Sequence, residues 1–525
     1  MLKLPAKFLT EMQELWSSHE VPGDLQDFFA CFQDQPTAGL VLNRLKVQDL
    51  ADLPQENWST YLSSQTGAKS EETEHFSLTQ LTPVPWAESG YFLPHKHRFS
   101  ASLSYRQGLF YLQDPSAMLP ADLASAQAGE WVLDLCAAPG GKAFTVIGKL
   151  GEEGLLWANE INEKRARALS RNVELAGSAL CLVSCRDALG FARQFSADQG
   201  LFDLVLADVP CTGSAMFRKD PRALQSWSRY RGQAILDLQA AILDEAAANL
   251  RPGGRLVYST CSYSWAENEG QLIHFLERHP DFSLVPVSRP GVSQALADPQ
   301  GRYPTSHALR IWPHLARGEG QFAALLLKSA SAEGRVVRDF SSIPSRLSKK
   351  ESSYLETWEA FRRESLSGKG SLAQILASPK FCLRVQEDKV HLLPSLSPLQ
   401  GQTYYLKTGL YLGQVKGEAT QGDFQPSQAL AQYVDLSDVT WALEVSAHPV
   451  LQAALRGETL LQDQVLTALH QGEACLYKEG KCARVEELGQ IKKGAYLALT
   501  FQKRPLLWLK QQDHFFKNTY PRSWL

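Results

Sequence analysis

The sequence predicts an α/β protein built on a doubly wound, mostly parallel sheet, with further helical and β-rich parts on either side. Three observations carry this expectation. Seven short apolar runs recur between residues 131 and 328, longer helix-like stretches separate them, and small residues crowd the turn after the first run. Runs that are continuously apolar, without alternation, are strands buried on both faces, and the stretches between them supply the helices that cover those faces.

The whole chain sets the frame. It has 525 residues, 44% hydrophobic and 21% charged, the balance of a globular protein with several cores and two to four domains. No window approaches twenty consecutive apolar residues, and the start, "MLKLPAKFLTEMQELW", is charged and amphipathic, unlike a signal peptide. A cytoplasmic location is expected. Nine cysteines without any C-x-x-C pair suit a reducing compartment and argue against both a disulfide framework and a metal site. The net charge of −3 does not exclude a nucleic-acid partner, which needs only a local basic face. Nothing demands a partner subunit, so a monomer is expected.

In chain order, residues 1–98 read as a mainly helical lead domain, since "LPAKFLTEMQEL" and "DLQDFFACFQ" place apolar residues three and four apart. Residues 99–328 form the α/β core, with strands expected at "WVLDL", "GLLWANE", "ALCLVS", "FDLVLAD", "GRLVYST", "FSLVPV" and "QFAALLLK". Residues 329–350, rich in serine and charge, read as a linker. A small mixed α/β domain is expected at 351–425 and a β-rich one at 426–525, where glycines punctuate short strand-like runs.

The first core strand runs into Cys136, Ala137, Ala138, Pro139, Gly140, Gly141 and Lys142, then into a helix. Such a turn lets a ligand approach the backbone and leaves helix N-terminal amides free. A Walker loop is disfavoured, because Cys136 stands at its first glycine position and Ala143 at its hydroxyl position. No G-x-G-x-x-G fingerprint is present at the turn either. Glu160 ends the second strand nineteen residues after Gly141, a separation at which a carboxylate reaches ribose hydroxyls. Asp187 ends the third strand and Asp208 the fourth. Singly, each acid reads as a helix cap or turn residue. As an ordered row after a glycine turn they favour a nucleoside ligand without phosphates, and S-adenosylmethionine fits.

Two further motifs each place a cysteine after a strand, Cys211 in "DVPCTGSAMFRKDP" and Cys261 in "LVYSTCSYSWAENEG". Together with "DLCAAPGGK", in this order and spacing, they resemble the Nol/Nop/Sun family of RNA cytosine-5 methyltransferases. "GLVLNRLK" (39–46), "YLQDPSAMLP" (111–120) and "RIWPHLARGEGQFAALLLK" resemble further segments of that family, so the likeness covers about residues 4–328. The added C-terminal region looks most like the bacterial 16S ribosomal RNA branch, which implies a PUA-like RNA-binding domain at 426–525 and RNA contact by the lead domain.

The resemblance implies a Rossmann-like methyltransferase core that takes S-adenosyl-L-methionine and forms 5-methylcytosine in RNA. Carbon 5 of cytosine is a poor nucleophile, so a thiolate must first add to carbon 6. By resemblance the nucleophile is Cys261, of the Thr-Cys motif, while Cys211, of the Pro-Cys motif, assists product release. Spacing alone does not decide between the two thiols. Asp208 is implied to contact the cytosine edge or the reactive end of the cofactor, Glu160 the ribose and Asp187 the adenine side, with residues 136–142 wrapping the cofactor. Lys142 lies at the same edge, where a cation lowers a thiol pKa.

Other residues read more simply. Ser264 with Glu267 has the spacing of a capping box that starts the next helix. Cys181 and Cys185 share one face of a strand and read as packed small side chains, as does Cys136. His95 and His97 read as part of a polar loop. Arg218 and Lys219 stand near the Cys211 loop, where they could hold RNA backbone. At the chain end Lys503, Arg504, Lys510, Lys517 and Arg522 interleave with Trp508, Phe515, Phe516, Tyr520 and Trp524, a composition that suits single-stranded RNA as well as ordinary amphipathic surface. Ribosomal RNA is the expected substrate. The catalytic motifs also allow transfer RNA, and a non-catalytic RNA-binding assembly factor is the reading from another class, against which the presence of both cysteines and the acids argues.

Overall fold

The computed structural model describes the chain except residues 1, 55, 57–76, 95–97, 152, 192–199, 331–347, 396–404, 418–421, 446–447 and 522–525. His95, His97, Arg522 and Trp524 therefore lie outside the described residues, as does most of the expected linker.

All seven apolar runs are strands of one ten-stranded sheet. Its centre is parallel and runs Leu250–Thr260, Phe202–Asp208, Trp131–Asp134, Leu155–Asn159, Cys181–Ser184. The strand Gln321–Lys328 joins antiparallel beside Leu250–Thr260, and Phe282–Leu284 and Leu309–Ile311 pair with it. Alternation within each strand divides the core. Val132, Leu156, Leu204, Leu206 and Val257 pack on one face with Phe144, Ile147 and Leu169. Leu133, Trp157, Val205 and Leu256 pack on the other with Ile242, Leu243 and Phe275. Each such burial contributes roughly 2 kcal/mol, which explains why both faces must be covered. Chain order reverses between Trp131–Asp134 and Phe202–Asp208, so the crevice of this sheet opens at their carboxyl ends.

Two expectations about the flanks change. The lead segment does begin with helices Ala6–Ser18 and Leu25–Ala30, but it also carries strands Ala38–Leu42 and Gly90–Leu93. These pair with Phe110–Gln113 in a three-stranded sheet that runs past the expected boundary at residue 98. The three strands are short and far apart in sequence, so no local pattern joins them. The second change concerns the far edge of the ten-stranded sheet, where Tyr405–Thr408, expected in a separate small domain, lies antiparallel against Cys181–Ser184.

The rest of the tail holds two sheets. One has four strands between Phe381 and Pro426 and the other has seven between Trp441 and Asn518. Among the described residues no helix is long and apolar enough to cross a membrane.

The first helix decides what surrounds the crevice. Phe8, Met12 and Leu15 recur along one face of Ala6–Ser18 and are buried. Phe8 meets Phe217 at 5.1 Å and Trp227 at 5.7 Å, ring centre to ring centre, and both belong to the segment after Cys211. Cys261 packs against the same cluster. The lead helix thus roofs the loops that carry both thiols.

Candidate active site

The small-residue turn is held from several sides. Gly140 has φ of 112°, in the left-handed region, and a Cβ there would come within 3.0 Å of Leu169 Cδ1. The next helix begins at Gly141. The Pro139 carbonyl accepts from Asn172 Nδ2 at 2.7 Å, the Ala138 carbonyl from an Arg165 guanidinium nitrogen at 2.8 Å, and the Ala137 amide donates to Asn159 O at 2.8 Å.

Acids face it. Glu160 is 3% exposed, accepts from the Asn162 amide at 2.9 Å and pairs with Arg165 at 3.2 Å. Asp187 is exposed and accepts from the Leu189 amide at 3.0 Å. Sequence reasoning passed over Asp134, the last residue of the first core strand. It is 1% exposed, and among the described residues neither oxygen makes a hydrogen bond of normal geometry. Burial pushes its carboxyl up to about 7, and the Lys142 charge and the Cys136 amide offset this only in part. A signal was present, for an acid inside an apolar run needs a reason. Burial, then the charges of Asp134, Asp208 and Glu160, also raise the Cys136 thiol well above the ordinary range.

Lys142 and Asp208 form the floor beneath the cysteines. Lys142 Nζ is 2.7 Å from Asp208 Oδ2. Burial pulls this ammonium down, but the Asp208 carboxylate, its hydrogen bond and Asp134 outweigh burial and hold it above the usual lysine value. Asp208 Oδ1 accepts from Ser259 Oγ at 2.6 Å, so the carboxylate is fixed between two neighbouring strands.

Cys211 and Cys261 follow the ends of those same strands, and their sulfurs stand 3.3 Å apart. The hydrogen bond with Cys261 and then burial hold the Cys211 thiol well above the ordinary range, with the charges of Glu267 and Asp208 adding to this. The two loops are tied together. The Ala215 amide donates to Cys261 O at 3.1 Å, and the Tyr263 amide to Ser214 Oγ at 2.9 Å.

Three expectations are corrected here. Ser264 and Glu267 do not form a capping box, because the helix starts at Glu269 after Asn268, and Glu267 turns inward to the Cys211 loop. Arg218 is no phosphate contact, since it pairs with buried Glu319 at 2.7 Å and donates to Cys31 O and Gly318 O. Lys219 pairs with Asp114 at 2.5 Å. In the tail, Trp508, Phe516 and Tyr520 are core residues, so of the aromatics described there only Phe515 is exposed. Lys510 is bridged to Asp423, Arg504 is half-buried, and Lys503 and Lys517 lie on the surface. Cys181 is buried in its strand as a small apolar side chain, and Cys185 contacts the Ile161 carbonyl.

Residues 121–327 match the family profile of the 16S rRNA methyltransferase RsmB/F, and residues 63–115 match the N-terminal domain of 16S rRNA methyltransferase RsmF. The chain is similar to the ribosomal RNA small subunit methyltransferase F of Shewanella piezotolerans, 35% identical over 260 residues, which are 48% of this chain and 53% of that protein. Its likeness to the protein of the same name in Escherichia coli K12 is 32% over 334 residues, 62% of this chain and 63% of the relative. The matched regions thus span less than two thirds of these curated relatives. Among solved structures, PH0851 aligns with a TM-score of 0.50 at 26% identity, over 62% of this chain and 66% of the other.

Proposed function

We propose that this chain, whose residues 121–327 match the family profile of the 16S rRNA methyltransferase RsmB/F, is an S-adenosyl-L-methionine-dependent RNA methyltransferase that forms 5-methylcytosine in small-subunit (16S) ribosomal RNA. One observation carries the cytosine-5 chemistry: two thiols 3.3 Å apart at the carboxyl edge of a doubly wound sheet, beside a lysine–aspartate pair and a glycine turn. The relatives named for small-subunit rRNA support the substrate.

The residues at the edge fit the cofactor. It carries a sulfonium and an ammonium group, and Asp134 is a buried acid neither of whose oxygens makes a hydrogen bond of normal geometry among the described residues. Asp134 would hold the cationic end, Glu160 the ribose and Asp187 the adenine side, with residues 136–142 around them. When bound, the cofactor supplies an electrophilic methyl group.

The chain's own residues do the rest. Cys261 as a thiolate adds to carbon 6 of a cytosine lifted from its stack, which gives carbon 5 the electron density to accept the methyl group. A solvent base takes the carbon 5 proton, the electrons of that C–H bond restore the C5–C6 double bond, and the C6–S bond breaks to free the Cys261 sulfur, which can accept the proton of the Cys211 thiol 3.3 Å away. Cys211, kept protonated by its neighbour and by burial, assists that release, while Asp208 orients Lys142 and the cytosine edge.

The test is incubation of the protein with methyl-labelled cofactor and, in parallel, 16S rRNA, small ribosomal subunits and transfer RNA, followed by mapping of the labelled base. The expected product is 5-methylcytosine in 16S rRNA. Label in transfer RNA alone would replace the substrate, and no incorporation into any RNA would leave a non-catalytic binding protein.

A further inference from the structure

A buried carboxylate outside the reacting groups contacts both cysteine loops. Glu267 is 2% exposed. It accepts from the Thr212 amide at 2.8 Å, from the Thr212 hydroxyl, from Ser262 Oγ at 2.7 Å and from Gln239 Nε2 at 3.0 Å. Thr212 is the residue after Cys211 and Ser262 the residue after Cys261. The two hydroxyls also meet each other at 3.1 Å. Gln239 reaches on to the Pro210 carbonyl at 3.0 Å, and the Tyr258 hydroxyl donates to the Glu267 carbonyl, so the carboxylate is fixed from both strands.

Burying a charge is costly unless hydrogen bonds repay it. Here the donors come from the two loops that must stay in register, and a neutral amide would satisfy fewer of them, because its NH₂ group cannot accept. We propose that Glu267 is the positioning residue for both thiols, a single carboxylate that anchors the residue following each cysteine and so sets their separation. This rests on the reading of Cys211 and Cys261 as the release and attack residues. It reaches beyond that reading by assigning the alignment of the pair to a side chain that touches neither substrate nor cofactor.

Charge and reach separate in two variants. Glu267→Gln keeps the length and removes the charge. Glu267→Asp keeps the charge but is one methylene short of spanning both loops. The first readout needs no RNA: the pH dependence of iodoacetamide alkylation of each cysteine in the full-length protein, followed by mass spectrometry. In Glu267→Gln the Cys211 profile is expected to move to lower pH, because a like charge beside the thiol has gone. In Glu267→Asp it stays near the wild-type position.

The second readout is methylation. Both variants are expected to lose about tenfold or more in kcat with KM for the cofactor within twofold of wild type, since the cofactor turn is untouched. Folded Glu267→Gln protein with an unmoved Cys211 profile and unchanged kcat overturns the proposal. If that variant does not fold, Thr212→Val and Ser262→Ala decide. Anchoring through one carboxylate predicts that the double variant loses far less than the product of the single losses, and losses that multiply overturn it. Failure of wild-type methylation, with the alkylation profiles as expected, would count against the cytosine-5 reading alone.

Discussion

Cys211 Sγ and Cys261 Sγ lie 3.3 Å apart although fifty residues separate them in the chain. The distance follows from the sheet, because their strands are parallel neighbours with Asp208 opposite Ser259. In the proposed reaction one thiol attacks a ring carbon and the other serves release of the same ring, so both must reach one base, and adjacent strand ends would allow that.

The pair therefore predicts two different failures. Cys261→Ala should lose methylation by at least ~10³-fold and form no covalent complex with RNA. Cys211→Ala should attack but release slowly, and so accumulate a protein–RNA species that migrates slowly in denaturing gels. Normal release by Cys211→Ala together with trapping by Cys261→Ala would reverse the roles.

Asp134 predicts a pH dependence of cofactor binding. Its carboxyl is held up at about 7 by burial, and a cationic ligand binds the ionised form. Affinity should therefore rise with pH, by about tenfold between pH 6 and 8, and level off above that. Calorimetric titration with the cofactor checks this. Asp134→Asn should bind weakly with little slope, and a variant that keeps the wild-type slope would move the titrating group elsewhere.

The ion pair behind Cys261 predicts a stability effect. Arg310 and Glu269 are 2% and 0% exposed, Arg310 Nε is 2.7 Å from Glu269 Oε1, and a terminal guanidinium nitrogen donates to Tyr263 O at 3.0 Å. Glu269→Ala leaves a buried guanidinium without its partner and should cost about 3–5 kcal/mol. Arg310→Met with Glu269→Leu should recover much of that in urea denaturation. A single variant as stable as wild type would show that the pair is not sealed from water.

His391 predicts part of the acid sensitivity. Burial, then the charges of Lys407 and Lys389, depress it to about 3 from an ordinary value of 6.5. Between those values the folded chain binds fewer protons than the unfolded one, so stability is fully present above pH 6.5 and is lost as the pH falls toward 3. By pH 5 the loss from this group is about 2 kcal/mol. His391→Gln should make the unfolding midpoint fall less between pH 7 and 5 than wild type, and equal falls would exclude His391 as a source.

Much of this was legible in the sequence, for reasons that particular residues make plain. The apolar runs became strands because a chain buried on both faces leaves no room for polar side chains, as Val205 and Leu206 illustrate by pointing to opposite cores. The turn from Cys136 to Lys142 was legible because glycine conformation and helix start are local. Glu267 was misread because its capping-box spacing is local while its partner, Thr212, is not. Arg218 and Trp508 were misread likewise, since a cation or an aromatic in a polar stretch gives no sign that Glu319 or a tail core awaits it. Asp134 was overlooked because hydrophobic patterning absorbs one acid at a strand end.

The strand Tyr405–Thr408, laid against Cys181–Ser184, has a consequence in time. The sheet that starts at Trp131 is not finished when its last core strand ends at Lys328, for the piece that closes its far border arrives only at residues 405–408. During synthesis the intermediate carries a bare row of amides and carbonyls, ready to pair with any extended chain nearby. A protein shortened to residue 328 would keep Cys211, Cys261 and the turn at 136–142 and yet be an unfinished object, prone to join its own copies along that border.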